Sequence, residues 1–310
     1  MFDERLAGIP GIGQVMRDVP LAPFTTWRVG GPARWWCEPD ARALPQALAL
    51  ARRSGVPAVA LGRGSNVLIA DEGIDGLVIS TRRSLTGLHY DGETIVAEAG
   101  VPLPTLAKAA AGLGYGGFEF LIGIPGTVGA GVAINAGLTA GEVRDVAGIV
   151  DDAEVVDLNG RVEVWDRRRL ALRYRGSAVL DQHAIVLRAC FVPRERSDPG
   201  AIRLRTAQHL AERRRKQPLT RPTAGSTFKQ PDGGRPAGWY IDRAGLKGLR
   251  VGGARVSDKH ANWIETGVGA TAGDVRELIG LVQETVQAVF DVRLEREVRF
   301  LPEDMVGGGG

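Results

Sequence analysis

The chain has 310 residues, 44% hydrophobic and 24% charged, a globular composition with room for two domains that excludes a disordered or low-complexity chain. A net charge of +3, with acidic residues spread throughout, argues against a one-signed nucleic-acid surface and suits a phosphate-bearing ligand. Two distant cysteines (Cys37 and Cys190) and four histidines without metal-ligand spacing exclude a disulfide framework and a zinc site, so two buried reduced thiols and no metal are expected.

Residues 1–11 lack a basic segment followed by an apolar run, so no signal peptide is expected. Helices are expected at 44–53 and 105–113, each stopped by a glycine, and strands at 56–61, 76–80, 94–98, 153–158 and 184–191. The uncharged stretch 120–141 is long enough to span a bilayer. Pro125, Asn135 and its repeated glycines would break or expose a lipid-facing helix, so no membrane insertion and a cytoplasmic location are expected. Asn159-Gly160, between Glu154-Val155-Val156 and Val162-Glu163-Val164, signals a type I′ hairpin. The polar, proline-flanked stretch 193–199 reads as a linker, followed by a basic helix over 202–216. Thr271, with Asp274 three residues on, opens a helix whose Val275, Leu278, Ile279, Val282 and Val286 share one face. The expected organisation is a first domain over 1–194, a second over 195–302, and a disordered tail over 303–310.

Six segments carry candidate chemistry. Gly62-Arg63-Gly64-Ser65-Asn66-Val67 follows a strand but fails the dinucleotide fingerprint, because Val67 stands where a glycine is needed and a strand follows where a helix should. Such a strand–glycine loop–strand can aim backbone N–H groups at a phosphate, with Ser65 and Asn66 as added donors, or be a plain tight turn. A second glycine-rich run, Gly123-Ile124-Pro125-Gly126-Thr127-Val128-Gly129 on to Asn135-Ala136-Gly137, lets a large ligand approach the backbone or serves only as a tight crossover. Two such loops after apolar runs favour a two-phosphate cofactor. Tyr174-Arg175-Gly176-Ser177 offers a guanidinium fork for a carboxylate, or a surface arginine. Ala224-Gly225-Ser226-Thr227-Phe228-Lys229-Gln230-Pro231 sets a serine on a loop without a hydrolase elbow around it. Segments 244–248 and 256–263 put Lys247, Lys259 and His260 on polar loops, which are ligand-facing or simply solvated. Glu295-Arg296-Glu297-Val298-Arg299-Phe300 alternates as a strand, with Glu295, Glu297 and Arg299 on one face.

In this order the segments closely resemble the UDP-N-acetylenolpyruvoylglucosamine reductase family, from Phe24-Thr25-Thr26-Trp27 through 61–71, 123–137, 174–177, 224–231 and 237–263 to 297–301. The resemblance implies an α+β chain: an FAD-binding domain of the vanillyl-alcohol-oxidase (PCMH) type, then a smaller α+β substrate-binding domain. It implies bound FAD, reduced by NADPH, and a UDP-sugar enolpyruvyl ether as the substrate reduced in turn. By match to the family's motifs, Arg175 stabilises charge on the substrate carboxylate, Glu297 polarises the same group, and Ser226 protonates the remaining carbon. The resemblance places FAD along Gly62 to Asn66, Gly123, Ile124, Pro125, Gly126, Thr127, Gly129, Asn135, Ala136, Gly137 and Arg299. It places substrate near Tyr174, Lys216, Lys229, Gln230, Lys259 and His260. Gln230 stands where the family usually has Asn, and Leu138-Thr139-Ala140-Gly141-Glu142 replaces a usual Ala-Tyr-Gly-Gly-Glu. The short run from Arg175 to the strand at Ala184 resembles the shorter subtype, which lacks a tyrosine-bearing loop. A monomer without nucleic-acid partners is expected. Two rival readings stay open at this level: another flavin oxidase or dehydrogenase, and a basic binding protein using Arg213-Arg214-Arg215-Lys216.

Overall fold

The computed structural model describes residues 1–138 and 144–305. Its N-terminal part contains a four-stranded mixed sheet in the order Met16–Pro20, Pro32–Cys37, Ile74–Ser80, Ala58–Leu61, the last three parallel. Every position of Ile74–Ser80 except Asp75 is buried. Covered on both faces, this strand reads as an apolar run and not as an alternation. Helix Ala43–Arg53 lays Leu44, Ala47, Leu48 and Ala51 beside Trp35, Leu77 and Ile79. A five-stranded antiparallel sheet follows, in the order Val162–Asp166, Val150–Val156, Ile185–Phe191, Ile95–Glu98, Leu88–Tyr90. Helix Leu103–Gly112 closes its core with Leu106, Phe118, Phe120 and Phe191.

The hairpin at Asn159-Gly160 forms, but not through a two-residue type I′ turn. Gly160 is left-handed, with φ +84°, and Asn159 is not. The Gly160 amide donates to Asp157 O at 3.0 Å, and the Asp157 amide to Arg161 O at 3.0 Å, the pattern of a turn followed by a bulge glycine. The cause is Asp157, whose carboxylate accepts the Asn159 and Arg161 amides, each at 2.8 Å, and so moves the turn one residue earlier.

The C-terminal part is an antiparallel sheet in the order Thr223–Ser226, Trp263–Thr266, Ala254–Val256, Arg250–Val251, covered by helices Ala237–Arg243 and Ala272–Phe290. The expected apolar face of Ala272–Phe290 is buried in full. Its capping box is present, with Thr271 Oγ1 accepting the Asp274 amide and Asp274 the Thr271 amide, both at 3.0 Å. Asp71, far back in the chain, accepts the amides of Ala272 and Gly273 at 2.8 and 2.9 Å, so the N-terminal part holds the positive end of this helix.

Two further threads join the halves. Trp27 is fully buried in the C-terminal core, and its Nε1 donates to Ile264 O at 2.8 Å. Near the end of the chain, Arg299–Leu301 pairs in parallel with Val67–Ile69. The strand expected across 295–300 is thus confined to its last residues. Before it, the backbone is tied to the serine segment, with Glu297 N on Thr227 O at 2.8 Å and Lys229 N on Glu295 O at 2.9 Å. Glu295 therefore points out and Glu297 in, and they do not share one face.

The stretch 193–199 is not a free linker. Glu195–Arg196 pairs with Tyr115–Gly116. Helix Pro199–Lys216, capped by Asp198, packs on Leu103–Gly112 and on the 3-10 turn Glu119–Gly123. Its Arg205 bridges to the buried Glu119 at 3.0 Å and also to Glu195. Helix Pro199–Lys216 thus packs with elements of the N-terminal part. Residues 303–305 are not a loose tail but a turn, closed by Asp304 N on Phe300 O at 2.8 Å and Phe300 N on Asp304 Oδ2 at 2.6 Å. Residues 306–310 lie outside the described residues. Cys37 is fully buried and Cys190 only partly so.

Candidate active site

A cleft of about 930 Å³ runs between the two parts, and both glycine loops line it. The first loop joins Ala58–Leu61 to Val67–Ile69. Gly64 has φ +60°, and a Cβ there would press into the Phe24 carbonyl and Thr25 Cα, so only glycine fits. Thr26 holds the loop by donating its amide to Gly64 O at 3.0 Å. Among the described residues, no backbone carbonyl takes the amide protons of Arg63, Gly64 or Ser65. They remain for an anion.

The second loop follows a 3-10 turn, Glu119–Gly123, and not a strand; it then runs into the short helix Val128–Ala133. A Cβ on Gly62 would lie 2.5 Å from Thr127 Oγ1, so the two loops touch. A Cβ on Gly126 would touch Leu103 Cδ1 at 3.5 Å and Ser65 Oγ at 3.6 Å, so this glycine also packs against the first loop. Ile124, Pro125, Gly126, Thr127, Gly129, Ala136 and Gly137 all line the cleft, as does Arg299. Free amides, small residues and a long groove fit an extended diphosphate cofactor such as FAD.

Two expected cofactor residues are placed differently. Asn135 is buried with φ +46° and donates to Asp145 Oδ2 and Arg173 O, both at 3.1 Å, while its Oδ1 accepts the Ala147 amide at 2.9 Å. It supports the turn at 173–176. Gly123 makes room for a side chain, since a Cβ there would run into Arg213 Cδ. Of the departure at 138–142, only Leu138 lies within the described residues.

The turn that Asn135 supports is closed by Arg173 N on Gly176 O at 3.0 Å and Gly176 N on Arg173 O at 3.1 Å. Arg175 sits at its tip with φ +54°, a conformation costing a non-glycine residue about 1–3 kcal/mol. The strain turns the guanidinium inward. Arg175 Nε donates to Glu297 Oε1 at 2.5 Å and Nη2 donates to Gly137 O at 3.0 Å, with side chains only 13% and 12% exposed. Burial pushes the Glu297 carboxyl above its ordinary range, and Arg175 and then Lys229 pull against that. Asn66 ties this pair to the first glycine loop through Nδ2 to Glu297 O at 3.2 Å.

Ser226 enters from the other side. It ends the strand Thr223–Ser226 after a register shift at left-handed Gly225, φ +82°, and lines the cleft. Asn262 fixes the next residues, accepting the Phe228 amide at 3.0 Å and donating to Phe228 O at 2.8 Å. Since Glu297 N bonds Thr227 O, Ser226 and Glu297 belong to one backbone junction.

The basic residues divide sharply. Lys216 is paired with Glu212 at 2.6 Å, and Lys229, which borders an adjoining hollow instead, with Glu295 at 3.4 Å. Lys259 Nζ caps the end of helix Pro199–Lys216 on Arg214 O at 2.6 Å. His260 lines the cleft, and burial holds its pKa below the usual histidine value. Tyr174 Oη accepts the Gln230 amide at 3.1 Å, a link across the cleft mouth. The cation sequence reasoning missed is Arg213. Read only as part of a solvated basic run, it is turned inward beside Arg175. The spacing Ile202, Thr206, Leu210, Arg213 traces one helical face and was the available signal.

Residues 217–301 match the family model described as UDP-N-acetylenolpyruvoylglucosamine reductase, C-terminal domain, and residues 39–165 match the model of an FAD binding domain. The chain is 44% identical over 291 residues to the UDP-N-acetylenolpyruvoylglucosamine reductase of Synechococcus sp. (strain JA-3-3Ab), covering 93% of this chain and 92% of that one. It is 42% identical over 294 residues to the protein of the same name from Moorella thermoacetica, covering 94% and 95%. The crystal structure of UDP-N-acetylenolpyruvylglucosamine reductase from Thermus caldophilus superposes with a TM-score of 0.78 at 36% identity, over 93% of this chain and 99% of that one.

Proposed function

The chain belongs to the UDP-N-acetylenolpyruvoylglucosamine reductase family, and from that premise we propose how its own residues carry the reaction. It is an FAD-dependent oxidoreductase of peptidoglycan precursor synthesis, reducing the enolpyruvyl ether of UDP-N-acetylglucosamine to the lactyl ether of UDP-N-acetylmuramic acid with NADPH as hydride donor. FAD, held along the two glycine loops, supplies two-electron carriage between donor and substrate.

The observation that carries the residue assignment is the buried Arg175–Glu297 pair facing the same cleft as Ser226. Hydride addition to the terminal alkene carbon moves charge into the substrate carboxylate. Arg175, already fixed by Glu297 and Gly137 O, meets that charge without reorganising. Glu297 holds the guanidinium in register and lies beside the same carboxylate. Ser226 then gives its proton to the neighbouring carbon, which is basic enough to take it, and is reprotonated from water. Geometry matters more here than the acidity of the hydroxyl.

The same reading puts the domain boundary near 217, where the packing of helix Pro199–Lys216 and the start of the matched C-terminal model agree. A cytoplasmic monomer of the shorter subtype fits a cleft completed within one chain. No described helix is long and apolar enough to cross a membrane. In the test, bound flavin is reduced anaerobically with NADPH and the UDP-linked enolpyruvyl ether is added. Rapid return of the oxidised spectrum is expected. A flavin that stays reduced would remove the assignment.

A further inference from the structure

Arg213 is a cation that the fold shields and that has no carboxylate partner among the described residues. Its Nε donates to Gln217 Oε1 at 2.9 Å, while its Nη1 is buried and has no partner among the described residues. Burial, and then repulsion from Arg175, push its pKa down to about 10. Gly123 lacks the side chain that would block its path. A shielded charge beside a like charge is costly to a fold unless a ligand compensates it.

Counting charge shows which ligand. Arg175 already has Nε on Glu297 and Nη2 on Gly137 O, so with Glu297 ionised that pair is neutral and offers an incoming carboxylate no net attraction. Two carboxylates around one guanidinium would leave a negative excess in a partly buried place. Arg213 supplies the missing positive charge. Lys216, Lys229 and Lys259 are all engaged elsewhere.

We propose that Arg213 is the second guanidinium on the enolpyruvyl carboxylate, its buried Nη1 donating to a carboxylate oxygen alongside Arg175. This rests on the assignment of the Arg175–Glu297 pair to that carboxylate. With Arg213 in place, two cations balance Glu297 and the substrate, and Glu297 need not be protonated for substrate to enter. Charge that grows on the carboxylate during hydride addition then faces both guanidiniums.

The test uses the oxidised holoenzyme and two ligands that differ only in the carboxylate-bearing group: UDP-N-acetylglucosamine and its enolpyruvyl ether. Affinities are read from the flavin spectrum for the native enzyme, Arg213→Met, Arg213→Lys and Arg175→Met. Arg213→Met is expected to weaken the ether about 10- to 100-fold, the worth of one charge-assisted hydrogen bond, and to leave UDP-N-acetylglucosamine nearly unchanged. Arg213→Lys recovers part of the loss, NADPH still reduces the flavin at the native rate, and ligand-free melting does not fall. Equal loss for both ligands would make Arg213 a diphosphate residue and overturn the proposal. Slower flavin reduction with both affinities intact would assign it to the cofactor, and a lower melting temperature with both affinities intact would leave it structural. If Arg175→Met discriminates between the ligands and Arg213→Met does not, only this inference falls. If neither discriminates, the Arg175–Glu297 assignment falls with it. Should Arg213→Met not fold, Arg213→Lys decides alone: native affinity for both ligands, or equal loss of both, rejects the proposal.

Discussion

On the N-terminal wall of the cleft the glycine loops present mostly backbone, whereas the rest of the site presents charged side chains. The glycine wall is fixed by sterics: a Cβ at Gly64 would meet the Phe24 and Thr25 backbone, and one at Gly62 would displace Thr127 Oγ1. The charged wall is fixed by competition. Lys216, Lys229 and Lys259 stand near the cleft yet answer to Glu212, Glu295 and a helix carbonyl, while Arg175 and Arg213 remain aimed inward. A cofactor that stays bound suits the first design. A substrate that enters and leaves as an anion suits the second, because its own charge completes the balance.

The contrast can be broken at either wall. The largest effect is expected for Arg175→Lys, which keeps the charge but loses the fork: turnover should fall about 10²–10³-fold with flavin content unchanged, read by steady-state rate and visible absorbance. Gly64→Ala attacks the other wall. Forcing a Cβ into a left-handed position against Phe24 should cost about 1–3 kcal/mol and release flavin, read by melting temperature and flavin-to-protein ratio. The mildest change is Asp71→Ala, which removes the link from the N-terminal part to helix Ala272–Phe290. It should lower stability by about 1 kcal/mol, read by thermal melting, with the rate constant for flavin reduction untouched.

The same contrast explains what was legible in the sequence. Strands, both glycine loops and the Thr271 capping box are local, and local rules found them. Arg175, Ser226 and Glu297 were placed by resemblance to the family, since nothing about an isolated arginine or serine announces a role. Other features are set by tertiary packing. Asn135, expected along the cofactor by resemblance to the family, has a side chain that supports the arginine turn, because its partners Asp145 and Arg173 are set by tertiary packing. Glu295 and Glu297 lose their common face because the chain there is tied to Thr227 and Lys229, not to a regular ladder. Helix Pro199–Lys216 is basic in composition yet held by the buried Glu119, a pairing invisible to a linear scan.

The central claim is that hydride delivery and proton delivery are separate tasks, the second belonging to Ser226. Stopped-flow measurement of both half-reactions in Ser226→Ala tests it most directly. Native flavin content and a native rate of flavin reduction by NADPH are expected, with net reoxidation by the enolpyruvyl ether slowed about 10²–10⁴-fold, because hydride addition reverses unless the neighbouring carbon is protonated. Reoxidation at the native rate, or an equal loss in both half-reactions, would contradict it.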